Sequence, residues 1–95
     1  MAPLKLDEQE LVNALCLYIG DKRQVAPEEV MVELMFDDDT GFSAEVHVNG
    51  RTQILIKQNM IEAIRMWLDQ MLGRDPFSGI ELVLDDEEGI IAYIR

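Results

Sequence analysis

The sequence predicts an α+β fold, a two-layer sandwich in the order α-β-β-β-α-β-β, with two helices on one face of a mainly antiparallel sheet. Three observations predict it. Two stretches carry apolar residues at helical spacing, five shorter ones alternate apolar and other residues, and Asn, Asp and Gly clusters stand between them. At 95 residues the chain is expected to form one domain, 1–95, with a core large enough to need neither metal nor disulfide. Hydrophobic residues make up 48%, too many for a disordered chain despite the charge.

Asp7 reads as a helix N-cap, with Glu10 three residues on to complete a capping box and Leu6 and Leu11 placed for a hydrophobic staple. Leu11, Ala14, Leu15, Tyr18 and Ile19 then follow one helical face. The first helix is expected from Glu8 to about Ile19, with Gly20 as a stop and Lys22 as the outer limit. Pro27, Glu28 and Glu29 suit a short helical turn. The period then becomes two. Val30, Val32, Leu34 and Phe36 alternate with Met31, Glu33, Met35 and Asp37; Phe42, Ala44, Val46 and Val48 alternate with Ser43, Glu45 and His47; Thr52, Ile54 and Ile56 alternate with Gln53, Leu55 and Lys57. Asn59 can cap a second helix, Met60 to Leu72, whose stripe of Ile61, Ile64, Leu68 and Met71 is widened by Met60, Trp67 and Leu72 before Gly73 ends it. After a loop from Arg74 to Gly79, Ile80, Leu82 and Leu84 form a strand, and Ile90, Ala92 and Ile94 another.

Asn49-Gly50 is a strong hairpin signal, and two registers compete there. A two-residue loop pairs Val48 with Arg51 and sets the stripe of Thr52, Ile54 and Ile56 on the opposite side from that of Val46 and Ala44. A three-residue loop, Val48-Asn49-Gly50, pairs Val46 with Thr52 and Ala44 with Ile54, and turns both stripes inward. The second register is the expected one, since it buries both stripes.

Nineteen Asp and Glu face eight Lys and Arg, a net charge of −11. With no basic run, the chain is not expected to bind nucleic acid or an anionic membrane. One cysteine, Cys16, excludes an internal disulfide and suits a reducing compartment. The first ten residues do not read as a signal or transit peptide, and no apolar run is long enough to span a bilayer. A cytoplasmic protein is expected.

Glu28-Glu29-Val30 through Phe36-Asp37-Asp38-Asp39, Gly41-Phe42-Ser43-Ala44-Glu45, Ile61-Glu62-Ala63-Ile64-Arg65 and the tail Glu87-Glu88-Gly89-Ile90-Ile91-Ala92-Tyr93 carry a resemblance. Together they resemble the YxcD-like family, small uncharacterised proteins of Bacillus and its relatives, over nearly the whole chain. The resemblance implies a bacterial cytosolic protein and brings no catalytic or binding residues with it. The α-β-β-β-α order of the first half is also that of a double-stranded-RNA-binding domain, but the basic helix start that such a domain needs is absent: Gln58, Asn59 and Glu62 stand there.

Four groups could carry function. Opposite the expected core stripe lie Met31, Glu33, Met35, His47 and Leu55, joined by Val83, Ile91 and Tyr93 if the last strands keep phase; a solvated sheet face should be polar, and this one is not. Those eight residues form the expected interface, for a homodimer or an unidentified protein partner. The acid turns Asp37-Asp38-Asp39 and Asp85-Asp86-Glu87-Glu88 are read as ordinary turn chemistry, with a divalent cation or a basic protein as the alternative partner. His47 beside Glu45 lacks a nucleophile, and Ser43 lacks a base. Cys16 is read as a core residue, as are Trp67, Met60, Met66 and Met71. No cofactor motif, metal-ligand set or catalytic constellation is present, so a non-enzymatic interaction module is expected.

Overall fold

A computed structural model describes residues 4–73, 75 and 79–95. Its elements are β1 (Leu4–Leu6), α1 (Glu8–Arg23), a 3-10 turn (Pro27–Glu29), β2 (Met31–Asp37), β3 (Gly41–Val48), β4 (Arg51–Ile56), α2 (Lys57–Trp67) running into a π-helical turn (Leu68–Leu72), β5 (Ile80–Asp85) and β6 (Gly89–Ile94). The fold is α+β. The strands form two antiparallel three-stranded sheets, in the orders β2-β3-β4 and β1-β6-β5. β1 is the element that the sequence did not announce. It pairs Leu4, Lys5 and Leu6 with Ile94, Tyr93 and Ala92. The expected loop from Arg74 to Gly79 lies largely outside the described residues.

The expected capping box is present. The Asp7 carboxylate accepts the Glu10 backbone N–H at 2.8 Å, and the Glu10 carboxylate accepts the Asp7 N–H at 3.2 Å. Such a cap contributes about 1 kcal/mol. Gly20 is not the stop. The helix continues to Arg23 and ends on Gln24 in the left-handed conformation (φ 57°). Gly20 is instead where the chain folds back: the Val25 N–H bonds its carbonyl at 3.0 Å, and a Cβ there would meet the Val25 carbonyl oxygen at 2.9 Å. α2 also starts three residues before its expected start, directly from β4. Asn59 does not stand at the cap position; its side chain reaches back and accepts the Ile56 N–H at 3.1 Å. The π turn then widens the helix. Leu68 stays buried, but Met71 and Leu72 leave the buried stripe and stand exposed.

α1 packs along α2 and against β2 and β6, while α2 lies over β3 and β4. One core joins the layers: Leu11, Leu15 and Ile19 of α1, Met60, Ile64 and Leu68 of α2 and its π turn, Ala44, Val46 and Leu55 of one sheet, and Leu6, Leu82, Ala92 and Ile94 of the other. Tyr18, buried in this core, donates its hydroxyl to Glu62, and Lys22 lies over its ring at 4.8 Å. Burial, then the Glu62 hydrogen bond, pushes the Tyr18 hydroxyl above its ordinary pKa.

The β3–β4 hairpin takes the two-residue register. Val48 pairs with Arg51, Val46 with Gln53 and Ala44 with Leu55. Asn49 and Gly50 both have positive φ, 50° and 77°, as the tightest hairpin turn requires. The expectation of a three-residue loop is thus overturned, and its premise with it. The core accepts one apolar residue from β4, Leu55 (2% exposed), and the stripe of Thr52, Ile54 and Ile56 faces away.

Candidate interface

The pairings place every side chain of β2-β3-β4 on one of two faces. Val32, Leu34, Ala44, Val46 and Leu55 turn toward the helices. The far face has three rows across the sheet: Met31-His47-Thr52, Glu33-Glu45-Ile54 and Met35-Ser43-Ile56. Met31 is 70% exposed, and Ile54 and Ile56 are 53% exposed each; Met35 is half-buried. Of the eight interface residues expected from sequence, Met31, Glu33, Met35 and His47 stand together here. Leu55 does not: the hairpin register moves it into the core. Val83, Ile91 and Tyr93 belong to the other sheet. Ile91 has no exposed surface, which removes it from any interface, and Val83 and Tyr93 are half-buried. Sequence reasoning missed Thr52, Ile54 and Ile56; the two-residue turn at Asn49-Gly50 was the signal that could have found them.

Three polar side chains of this face are tied to each other. His47 Nε2 lies 2.9 Å from Glu45 Oε1, and its Nδ1 lies 3.0 Å from Thr52 Oγ1. Both ring nitrogens are engaged across a strand surface. The arrangement gives the imidazole a fixed pose and leaves the apolar side chains around it as the open part of the face.

The two acid turns share one geometry. Asp37 pairs with Gly41 and Asp85 with Gly89, which leaves three loop residues in each. The leading Asp caps both. Asp37 Oδ1 accepts the N–H groups of Asp39 and Thr40 at 2.8 and 3.3 Å; Asp85 Oδ1 accepts those of Glu87 and Glu88 at 2.8 and 2.9 Å. The reading as turn chemistry therefore has a mechanism. The bonds from Glu88 and Glu87 hold the Asp85 carboxyl below its ordinary pKa. Among the described residues, no three His, Cys, Asp or Glu side chains are grouped as a metal ion needs. Lys5 meets Glu88 at 2.8 Å, and this bond raises the lysine pKa.

A concavity of about 600 Å³ lies between α1 and the end of α2 and is lined by Val12, Cys16, Leu17, Val30, Trp67 and Met71 among others. Cys16 and Trp67 are half-buried and pack against the core, as expected for them, whereas Met71 stands exposed in place of the core position expected for it. The Cys16 thiol sits 3.5 Å from the Val30 carbonyl, and burial raises its pKa, away from nucleophilic reactivity. No helix among the described residues is long and apolar enough to cross a membrane.

A family model described as "Protein of unknown function (DUF2653)" matches residues 1–87. The chain belongs to this family. The chain is also 32% identical over 93 residues to the uncharacterized protein YxcD of Bacillus subtilis (strain 168), which covers 96% of this chain and 91% of that protein. No solved structure matches.

Proposed function

We propose that this member of the family is a non-enzymatic protein-interaction module that docks a protein through the far face of β2-β3-β4. One observation carries the reading: Met31, Ile54 and Ile56 are more than half exposed on a single sheet face. Apolar side chains gathered in this way mark interaction surfaces, and methionine adapts to partner shape. His47 and Glu45 serve the same reading as a fixed polar centre, since interfaces place satisfied polar groups beside apolar anchors.

A photoreactive amino acid at Glu33, in the middle row, tests the reading in the cell. A discrete protein adduct is expected, and Met31→Glu combined with Met35→Glu removes it while the melting temperature holds. No adduct, or one indifferent to those substitutions, contradicts the reading.

A further inference from the structure

The second unpartnered surface is an edge, the outer main chain of β4, and it borders the face just described. β4 ends its sheet, and no strand among the described residues pairs along its outer side. The hairpin register tells which backbone groups point there. In a two-residue hairpin the closing pair, Val48 and Arg51, exchanges both hydrogen bonds, and the bonding residues then alternate. Arg51, Gln53 and Leu55 therefore bond to β3, while Thr52, Ile54 and Ile56 turn their N–H and C=O outward. The Asn59 side chain holds the Ile56 N–H, as this alternation requires, and closes the edge at that end. Thr52 and Ile54 are left with two donors and two acceptors, spaced symmetrically about Gln53.

We infer that β4 pairs with β4 of a second copy, antiparallel, about a two-fold axis through Gln53. This register sets Thr52 opposite the partner's Ile54, makes four main-chain hydrogen bonds and leaves none of the four groups over. A register centred on Ile54 is worse on two counts. It sets Arg51 opposite the partner's Lys57, and it calls on the Ile56 N–H that Asn59 already holds.

The edge carries no protection against such pairing: from Thr52 to Ile56 there is no charge and no proline. Charge also selects this seam for two copies of one chain. Copies of net charge −11 repel over most of their surface. Between Asn49 and Gln58 there is no carboxylate, Arg51 and Lys57 flank the strand, and Arg23 reaches Gln53 from α1. The copies meet along a strand that carries no carboxylate of its own. The product is one six-stranded sheet that carries two copies of the exposed face.

Cysteine trapping in a Cys16→Ala background tests the register. Gln53 faces its own counterpart in a non-hydrogen-bonded pair, where Cα atoms sit about 4.5 Å apart, within disulfide reach. Gln53→Cys is expected to give a covalent dimer at least tenfold faster than Thr52→Cys, whose counterpart is offset by two residues. Light scattering is expected to show a dimer for the parent chain and a folded monomer for Ile54→Lys. Equal trapping at positions 52 and 53, or a monomeric parent chain at the highest attainable concentration, overturns the inference. A monomer that still forms the Glu33 adduct in cells overturns the edge pairing alone and leaves the docking face standing.

Discussion

The two sheets share one helical pair but finish their far faces differently. In β1-β6-β5 that face holds Lys5, Glu81, Val83, Ile91 and Tyr93. Its charged members have partners, Arg95 with Glu81 at 3.1 Å and Lys5 with Glu88, and its isoleucine is fully buried. In β2-β3-β4 the isoleucines and Met31 stand open to solvent, around a histidine already held by two neighbours. The lesson concerns what strand alternation means. A period of two says which residues share a face; it does not say which face is covered.

That difference sets the largest expected effect. Ile91→Ala should cost about 2–5 kcal/mol of unfolding free energy, the range for emptying a packed site. Ile54→Ala should stay within about 1 kcal/mol, since surface changes seldom cost more. Urea denaturation of the two variants reads the contrast. Similar losses would erase the distinction between the two sheets.

The acid turns sharpen the comparison at smaller scale. Gly41 and Gly89 both have φ near +80°, so alanine at either meets a left-handed penalty of about 1–2 kcal/mol. At Gly41 nothing lies near the added methyl, whereas at Gly89 it runs into the Glu8 carboxylate. Glu8 must then release the Ile90 N–H, which it accepts at 3.3 Å. Gly89→Ala should therefore exceed Gly41→Ala by about 1 kcal/mol, one hydrogen bond, in thermal melts.

The smallest effect is one of pH. The Asp85 carboxyl lies below its ordinary pKa when folded, so its contribution is present above the ordinary value and fades as pH falls through the depressed one. Asp85→Asn should flatten that acid limb by lowering the melting temperature slightly at neutral pH while leaving it unchanged in strong acid. A variant that melts lower in strong acid but not at neutral pH would have the wrong sign.

Much of this was legible in the sequence, because the signals were local. The capping box at Asp7, the five alternating stretches and both acid turns rest on residues within a few positions of each other. What was not legible depended on distant contacts. β1 is three residues long, too short to show a period, and its partner is the far end of the chain. Gly20 looks like a helix stop, and only the returning chain at Val25 shows why a glycine stands there. The hairpin register went the other way for an instructive reason. Burial of the stripe of Ile54 and Ile56 favours the wider loop, yet the Asn49-Gly50 turn prevails and leaves those isoleucines outside. The candidate face was half legible: Met31, Glu33, Met35 and His47 were in place, and the β4 members were off by one residue.

The account therefore turns on which residue of β4 points inward. Placing an aspartate at Ile54 or at Leu55, one at a time, and following each variant by circular dichroism on heating tests this directly. Ile54→Asp is predicted to keep a cooperative transition, with a loss of about 1 kcal/mol or less for a polar residue on an exposed strand. Leu55→Asp is predicted to leave the chain unfolded at room temperature, because a lone buried carboxylate costs several kcal/mol. A stable Leu55→Asp beside an unfolded Ile54→Asp would contradict the register, and the exposed face and free edge built on it would go too.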